Sequence, residues 1–141
     1  MEKKTIYQAL LEAQKEFPTI KKEDKNPFFK STYAGLPSIL EVVLPILHKH
    51  GIVLTQFPVS EEGRIGVTTR LANANECLDS TFTLPLAQNT PQGAGSAITY
   101  ARRYALVSML GLNVDDDDDG NEASKKGKDE PEGFEEPTIR R

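Results

Sequence analysis

The spacing of the apolar residues changes at Ile52, and this change constrains the fold more than any other feature of the chain. Before Ile52 the apolar residues recur every three or four positions, as in amphipathic helices, and after it they alternate with polar residues, as in strands. Three strands are predicted, at 52–59, 64–72 and 77–86. Because only short turns separate them, we expect an antiparallel meander with one buried face.

Two helices are predicted before the strands. The first has an apolar face over residues 6–17 and should stop at Pro18. The second should run from Leu36 to His50, bend at Pro45 without dividing into two elements, and end at Gly51. The segment 19–35 between them is expected to be a lysine-rich connection.

A third helix is predicted after the strands, and it completes the fold class. We expect a loop over 87–93 and then a helix that ends at Gly111 and packs small apolar residues on the sheet. Its predicted apolar stripe is Ala94, Ile98, Ala101, Ala105 and Met109. The predicted class is therefore α+β: N-terminal helices, a three-stranded antiparallel β-meander, and a C-terminal helix packed on it.

Charge divides the 141 residues into two predicted regions. Residues 1–114 hold 12 Lys/Arg and 10 Asp/Glu, a net charge of +2, whereas residues 115–141 hold 5 and 11, a net charge of −6. The second region begins with Asp115–Asp119 and has few apolar residues, so we expect a core domain over 1–114 and a flexible acidic tail over 115–141.

The composition also bears on the cellular compartment in which the protein is expected. A single cysteine, Cys77, cannot form an intrachain disulfide, and no segment has the run of about 18 apolar residues that spans a bilayer. We expect a cytoplasmic protein with no membrane contact, in which Cys77 is a partly buried, inert thiol.

Arg102 and Arg103 lie between Tyr100 and Tyr104 in the last predicted helix. Guanidinium groups match phosphate oxygens and tyrosine rings can stack on bases, so this cluster suits single-stranded nucleic acid. An ordinary exposed helix face with two half-buried tyrosines would have the same sequence. Residue types leave both interpretations open.

Other chemistries fit the sequence less well. Gly93 and Gly95 lack the spacing and the lysine of a nucleotide-binding P-loop. Two roles stay open for them: a contact with a phosphate group, or close packing of the helix. Asp115–Asp119 match the start of an EF-hand loop, but Lys126 stands where that loop requires glutamate. No nearby residue activates His48 or His50 for catalysis. We therefore expect no ATP, metal or other cofactor.

Two longer strings complete a recognisable pattern. These are NPFFKSTYA at 26–34 and GSAITYARRYAL at 95–106, followed by Leu110-Gly111-Leu112 and the run of aspartates. Over residues 5–121 the chain resembles the essential recombination function (ERF) family of phage single-strand annealing proteins. The resemblance implies an ATP-independent, non-enzymatic protein that binds single-stranded DNA, anneals complementary strands in phage recombination, and forms rings or filaments in the bacterial host cell. It also implies a β-β-β-α core.

The resemblance and the residue chemistry together predict a DNA-binding surface. The expected contacts are Lys25, Lys30, Tyr33, Arg70, Tyr100, Arg102, Arg103 and Tyr104. The implied partners are single-stranded DNA, further copies of the chain, and a host or phage exonuclease or single-strand binding protein. Two other functions stay open: a module of the same fold that inhibits or recruits a host enzyme, and a metal-dependent nuclease that uses the aspartates.

Overall fold

The computed structural model describes residues 4–21, 24–26, 31–33 and 35–114 of the chain. The elements are α1 (Ile6–Gln14), β1 (Asp24–Asn26), β2 (Ser31–Tyr33), α2 (Leu36–Lys49), β3 (Val53–Glu61), β4 (Arg64–Ala72), β5 (Cys77–Pro85) and α3 (Pro91–Leu110). The predicted α+β class and its order of helices, antiparallel three-stranded sheet and C-terminal helix are confirmed. The predicted tail over 115–141 lies outside the described residues.

Helix α1 begins at a reciprocal cap. The Thr5 hydroxyl accepts a hydrogen bond from the Gln8 N–H at 3.0 Å, and the Gln8 side chain accepts one from the Thr5 N–H at 2.8 Å. The helix ends at Gln14, earlier than predicted, because the following turn is tighter and its N–H groups bond three residues back. Phe17 still packs against the core, so the apolar pattern continues beyond the helix.

Helix α2 is continuous although Pro45 lies inside it, as the sequence predicted. Proline removes one backbone hydrogen bond, and the apolar face of the helix is still buried along its length. Gly51, at φ 73°, reverses the chain after the helix, and the Ile52 N–H then donates to the Leu47 carbonyl at 2.9 Å. A left-handed residue at this position is a common helix end.

Strands β1 and β2 form a two-stranded antiparallel ribbon that the sequence did not predict. The register places Asp24 opposite Tyr33, Lys25 opposite Thr32, and Asn26 opposite Ser31. Each strand has three residues, which is too short for an alternating apolar pattern to be recognised. The expected lysine-rich connection therefore contains regular backbone pairing.

Strand β4 lies at the centre of the larger sheet, between antiparallel partners β3 and β5. Gly63, at φ 72°, supplies the left-handed position in the short turn between β3 and β4. The Asn73 carboxamide oxygen accepts hydrogen bonds from the N–H groups of Asn75 and Glu76, at 2.9 Å each, in the turn before β5. Both turns lie where the sequence placed them.

Helix α3 begins at Pro91 with Thr90 as its cap, which corrects the predicted start at Ala94. The Thr90 hydroxyl accepts a hydrogen bond from the Gly93 N–H at 3.0 Å, so Gly93 is inside the first turn and not in a preceding loop. The helix ends at Gly111, as predicted, with φ 68°.

The side of α3 that faces the sheet also differs from the prediction. The buried small residues are Ala97, Ala101 and Ala105, spaced four apart, whereas Ala94 and Met109 are only partly buried. Ala101 and Ala105 pack with Val67 of β4. Alanine side chains allow a helix to approach a sheet closely, so this stripe determines which side of α3 faces outward.

The C-terminal half of α3 joins a second, larger hydrophobic cluster. Leu106 and Leu110 are fully buried there among the apolar faces of α1 and α2. The chain segments that follow α1 and α3 close this cluster, because Ile20 and Val114 form a parallel backbone bridge and both are buried. The Ile20 N–H donates to the Asn113 carbonyl at 2.8 Å.

We expect the substitution Gly66→Ala to destabilise the protein strongly. A Cβ atom at Gly66 would overlap the Phe82 carbonyl oxygen and lie 2.7 Å from the Thr83 Cα, so β5 would have to move away from β4. The expected loss is about 3 kcal/mol of unfolding free energy, measured by urea titration.

Gly95→Ala is the matched control for this substitution. Gly95 lies inside α3, where an added Cβ would meet no atom within 4 Å. Alanine should therefore stabilise the protein by roughly 0.5–1 kcal/mol through helix propensity. Equal effects of the two substitutions would contradict the close strand approach at Gly66.

Candidate nucleic-acid interface

Helix α3 presents a cluster of aromatic and cationic side chains on its surface away from the alanine stripe. Tyr100 and Tyr104 are one helical turn apart, and Arg103 lies between them in sequence on the side of the helix that faces away from the sheet. Tyr100 is 52% exposed and Tyr104 is 46% exposed. We call Tyr100, Arg103 and Tyr104 the tyrosine–arginine cluster.

The three side chains of the cluster contact one another. The Arg103 Cζ lies 5.5 Å from the centre of the Tyr100 ring and 5.1 Å from that of Tyr104. The two ring centres are 5.1 Å apart, at an interplanar angle of 36°. Such distances are typical of cation–π and aromatic pairs, which hold the guanidinium against the rings.

The chemistry of this cluster suits a phosphodiester strand. A guanidinium can donate two parallel hydrogen bonds to phosphate oxygens, and exposed tyrosine rings offer apolar faces for stacking on bases. The sequence grouped four residues, Tyr100, Arg102, Arg103 and Tyr104, and the structure brings three of them together without Arg102. The exposures of the tyrosines, 52% and 46%, also agree with the predicted alternative of two half-buried tyrosines, so exposure alone does not decide between the two.

Arg102 is directed elsewhere, although it is adjacent to Arg103 in sequence. Its Nε donates to the Gln56 side-chain oxygen at 3.1 Å, and the Gln56 amide nitrogen donates back to the Arg102 carbonyl at 3.2 Å. The same amide nitrogen donates to the hydroxyl of Thr69, a fully buried residue, at 3.0 Å. Arg102 therefore links α3 to β3 and β4 and is not part of the cluster.

Arg70 lies on the opposite face of the sheet from α3. Its guanidinium donates two hydrogen bonds to the Asp79 carboxylate, at 2.8 and 2.9 Å, and lies 5.2 Å from the centre of the Phe57 ring. The hydrogen bonds from Arg70 lower the pKa of Asp79, and the same bonds raise the pKa of Arg70. The structure thus does not bring Arg70 to the tyrosine–arginine cluster, and its charge is balanced by Asp79.

The remaining predicted contacts precede α2 in the chain. Lys25 and Tyr33 lie on the paired strands β1 and β2, where Lys25 is opposite Thr32 and Tyr33 is opposite Asp24. Lys30 and Asp115–Asp119 lie outside the described residues.

A groove beside the cluster was missed by the sequence analysis. It has a volume of about 320 Å³ and is lined by the end of β5, the segment 86–90 and the first turns of α3, with Tyr100 at one side. The polar side chains in its wall are Gln88, Gln92 and Ser96. Its wall comes from one stretch, residues 84–100, but the spacing of residues does not report that the strand end, the following segment and the helix pack against one another.

Gly93, for which phosphate binding and close packing were both open, has a packing role in this groove. A Cβ atom at Gly93 would overlap the Gln88 carbonyl oxygen, so glycine lets the preceding segment lie directly on the helix. Its N–H is already bonded to Thr90. The first turn of α3 is thereby held against the segment that precedes it.

The histidines and the cysteine were the other residues considered for chemistry. Within the described part of the chain, no three His, Cys, Asp or Glu side chains are grouped in a way that could hold a metal ion. His50 bonds to Glu16, and Cys77 is exposed, which corrects the predicted partial burial of its thiol. None of the helices described is both long enough and apolar enough to cross a membrane.

We expect Asp79→Asn to remove part of the acid sensitivity of the fold. Because the native pKa of Asp79 lies below its ordinary value of 3.8, the ion pair with Arg70 stabilises the protein above that pH and its contribution is lost as the pH falls through the native pKa. Urea midpoints of the variant and the original chain should differ at pH 7 and converge once the pH is below the native pKa of Asp79, which is itself below 3.8.

The control is Glu62→Gln, which neutralises an exposed carboxylate in the turn between β3 and β4. This substitution should leave the midpoint nearly unchanged at both pH values, since surface charges away from a partner contribute little. If the urea midpoint of Asp79→Asn differed from that of the original chain by the same amount at every pH, the ion pair would not be the cause of the difference.

Comparison with known proteins agrees with the pattern of the sequence. A family model described as the ERF superfamily matches residues 6–138, which is most of the chain. No curated protein and no solved structure gives a match. Because the matched region includes the whole described fold and extends through the acidic segment, this chain belongs to the ERF superfamily.

Proposed function

We propose that this protein binds single-stranded DNA and anneals complementary strands in phage homologous recombination. Membership of the ERF superfamily suggests recombination and annealing as the general function. The observation that supports DNA binding most directly is the tyrosine–arginine cluster, in which two half-exposed rings flank a guanidinium at 5.5 and 5.1 Å. The proposed activity uses no ATP and no cofactor and makes or breaks no covalent bond.

The proposed binding mode leaves the bases able to pair. Arg103 would contact a phosphate, while Tyr100 and Tyr104 would each stack on the flat face of a base. Stacking uses the face of a base and leaves its hydrogen-bonding edge accessible. A second strand could therefore test its complementarity while the first is still bound.

Other predicted contacts are assigned differently in this proposal. Lys25, Lys30 and Tyr33 extend the DNA-binding surface, because segment 19–35 is the most basic part of the chain outside the acidic region. Arg102 supports the surface by orienting α3 through Gln56. Arg70 is left out of the interface because Asp79 engages its guanidinium on the opposite face of the sheet.

Assembly of several copies is part of the proposed mechanism. Residues 1–114 carry a net charge of only +2, so one copy should bind DNA weakly, and linked copies along one strand would supply the affinity. Tyr7 and Leu11, one turn apart on α1 and 64% and 51% exposed, are suitable residues for a contact between copies.

The acidic segment 115–141 is proposed to be a separate region that competes with DNA. Its net charge of −6 opposes the +2 of the preceding residues. Removal of residues 115–141 should therefore tighten single-stranded DNA binding, most strongly at low salt, where charges are least screened. Fluorescence anisotropy across a salt series measures this, and identical affinities at all salt concentrations would contradict the proposal.

Arg102→Ala and Arg103→Ala provide a matched test of the cluster, since both remove one arginine from the same helix. Arg103→Ala should weaken DNA binding and reduce the slope of log affinity against log salt by about 0.7, the value for one phosphate contact to a single strand. Arg102→Ala should instead lower the unfolding free energy by about 1 kcal/mol through the lost bond to Gln56.

Anisotropy and urea titration distinguish these two effects. If Arg102→Ala reduced the salt slope and Arg103→Ala did not, the assignment of the two arginines would be reversed. If neither affected DNA binding, the tyrosine–arginine cluster would not be the interface.

An annealing assay tests the function as a whole. Two complementary oligonucleotides carrying a donor and an acceptor dye should pair faster with the protein than without it, equally with and without ATP and Mg²⁺. Shortened DNA in the presence of Mg²⁺ would support a nuclease instead. Absence of any annealing or DNA binding would favour the module that inhibits or recruits a host enzyme.

A further inference from the structure

The groove next to Tyr100 has the dimensions of a small-ligand site. Its volume of about 320 Å³ is at the lower end of the range for such sites, roughly 300–1,000 Å³. Leu84 of β5 and Ala97 of α3 supply apolar walls, and the Tyr100 ring forms one side. Because Tyr100 also belongs to the tyrosine–arginine cluster, the groove and the proposed DNA surface share a residue and are continuous.

The residues that line the groove indicate which kind of ligand it could bind. Its polar side chains are the amides of Gln88 and Gln92 and the hydroxyl of Ser96, and none of the lining residues is charged. Amides and hydroxyls both donate and accept hydrogen bonds, so they match a neutral group with mixed donors and acceptors. A phosphate or a metal ion would lack a charged partner here.

The backbone that carries Gln88 is held by hydrogen bonds and by contact with α3. The Thr90 N–H donates to the Gln88 carbonyl at 2.9 Å, and the same carbonyl lies against Gly93 in the first turn of α3. The Leu86 N–H donates to the Gly63 carbonyl at 2.9 Å, which ties the start of this segment to the turn between β3 and β4. The segment that carries Gln88 is thus held at both ends.

We propose that this groove holds one nucleobase of the bound strand. A base has flat apolar faces and a polar edge with mixed donors and acceptors, which corresponds to apolar walls, an aromatic side and uncharged amides. The inference rests on the proposed DNA binding and adds a specific subsite to it. This base is the exception to the binding mode proposed above: it is withdrawn from pairing, whereas the other nucleotides bound by the same copy remain able to pair.

Ser96→Leu in the full-length protein tests the subsite, because a larger side chain at Ser96 fills the groove. Anisotropy should show affinity for an oligothymidylate reduced about tenfold, a loss typical of one stacked base. Affinity for an abasic oligonucleotide of equal length, which has phosphates and no bases, should not change. Thr55→Leu, at an exposed position on β3 opposite Arg70 and away from α3, is the control and should match the original chain.

Photocrosslinking gives a second measurement, which can be made first on the original chain and then on variants. An oligonucleotide containing 5-iodouracil should crosslink to Tyr100 or to a neighbouring groove residue, and Ser96→Leu should abolish that crosslink. Gln92→Ala, which removes an amide without filling the groove, should weaken binding of the oligothymidylate and not of the abasic strand.

The outcomes separate the subsite from the proposed function. If the original chain binds neither oligonucleotide, DNA binding itself is wrong. If it binds DNA but Ser96→Leu binds oligothymidylate equally well, the subsite is wrong and DNA binding stands. If Ser96→Leu weakens binding of both strands and reduces the assembly size measured by light scattering, the groove is a contact between copies, which also overturns the inference.

Discussion

The close contact between the alanine stripe of α3 and strand β4 is the interaction on which the rest of the structure depends. Ala101 and Ala105 pack with Val67, and larger residues at these positions would push the helix away from the sheet. This contact sets the distance between α3 and the sheet. The hydrogen bonds between Arg102 and Gln56 restrain the rotation of α3 about its own axis. The positions of the tyrosine–arginine cluster and of the groove follow from these two restraints.

Much of the fold could be predicted because it has strong local periodicity. Strand β4, with an alternating pattern over nine residues and a glycine turn before it, was predicted at its observed bounds. The ribbon of β1 and β2 was missed because three residues per strand carry no period. The start of α3 was placed too late because Gly93 suggested a loop, whereas the Thr90 cap and the contact with Gln88 place that glycine inside the helix.

The candidate site was predictable only where its residues are neighbours in sequence. Tyr100, Arg103 and Tyr104 lie within five positions of one helix, and helical geometry brings them together. Arg70 resembled a second contact because its partner Asp79 is on another strand, and only the register of β4 and β5 pairs them. The residues that line the groove all lie within 84–100, but their arrangement depends on the packing of the Gln88 carbonyl against Gly93, which sequence spacing does not report.

The bridge between Ile20 and Val114 has a consequence for the charged segments of the chain. In sequence, Lys21 directly follows Ile20 and opens the most lysine-rich segment, while Asp115 directly follows Val114 and opens the run of aspartates. Because the bridge is parallel, the chain enters both segments from adjacent points and in the same direction. The bridge thus places side by side the two points from which these oppositely charged stretches of the sequence continue.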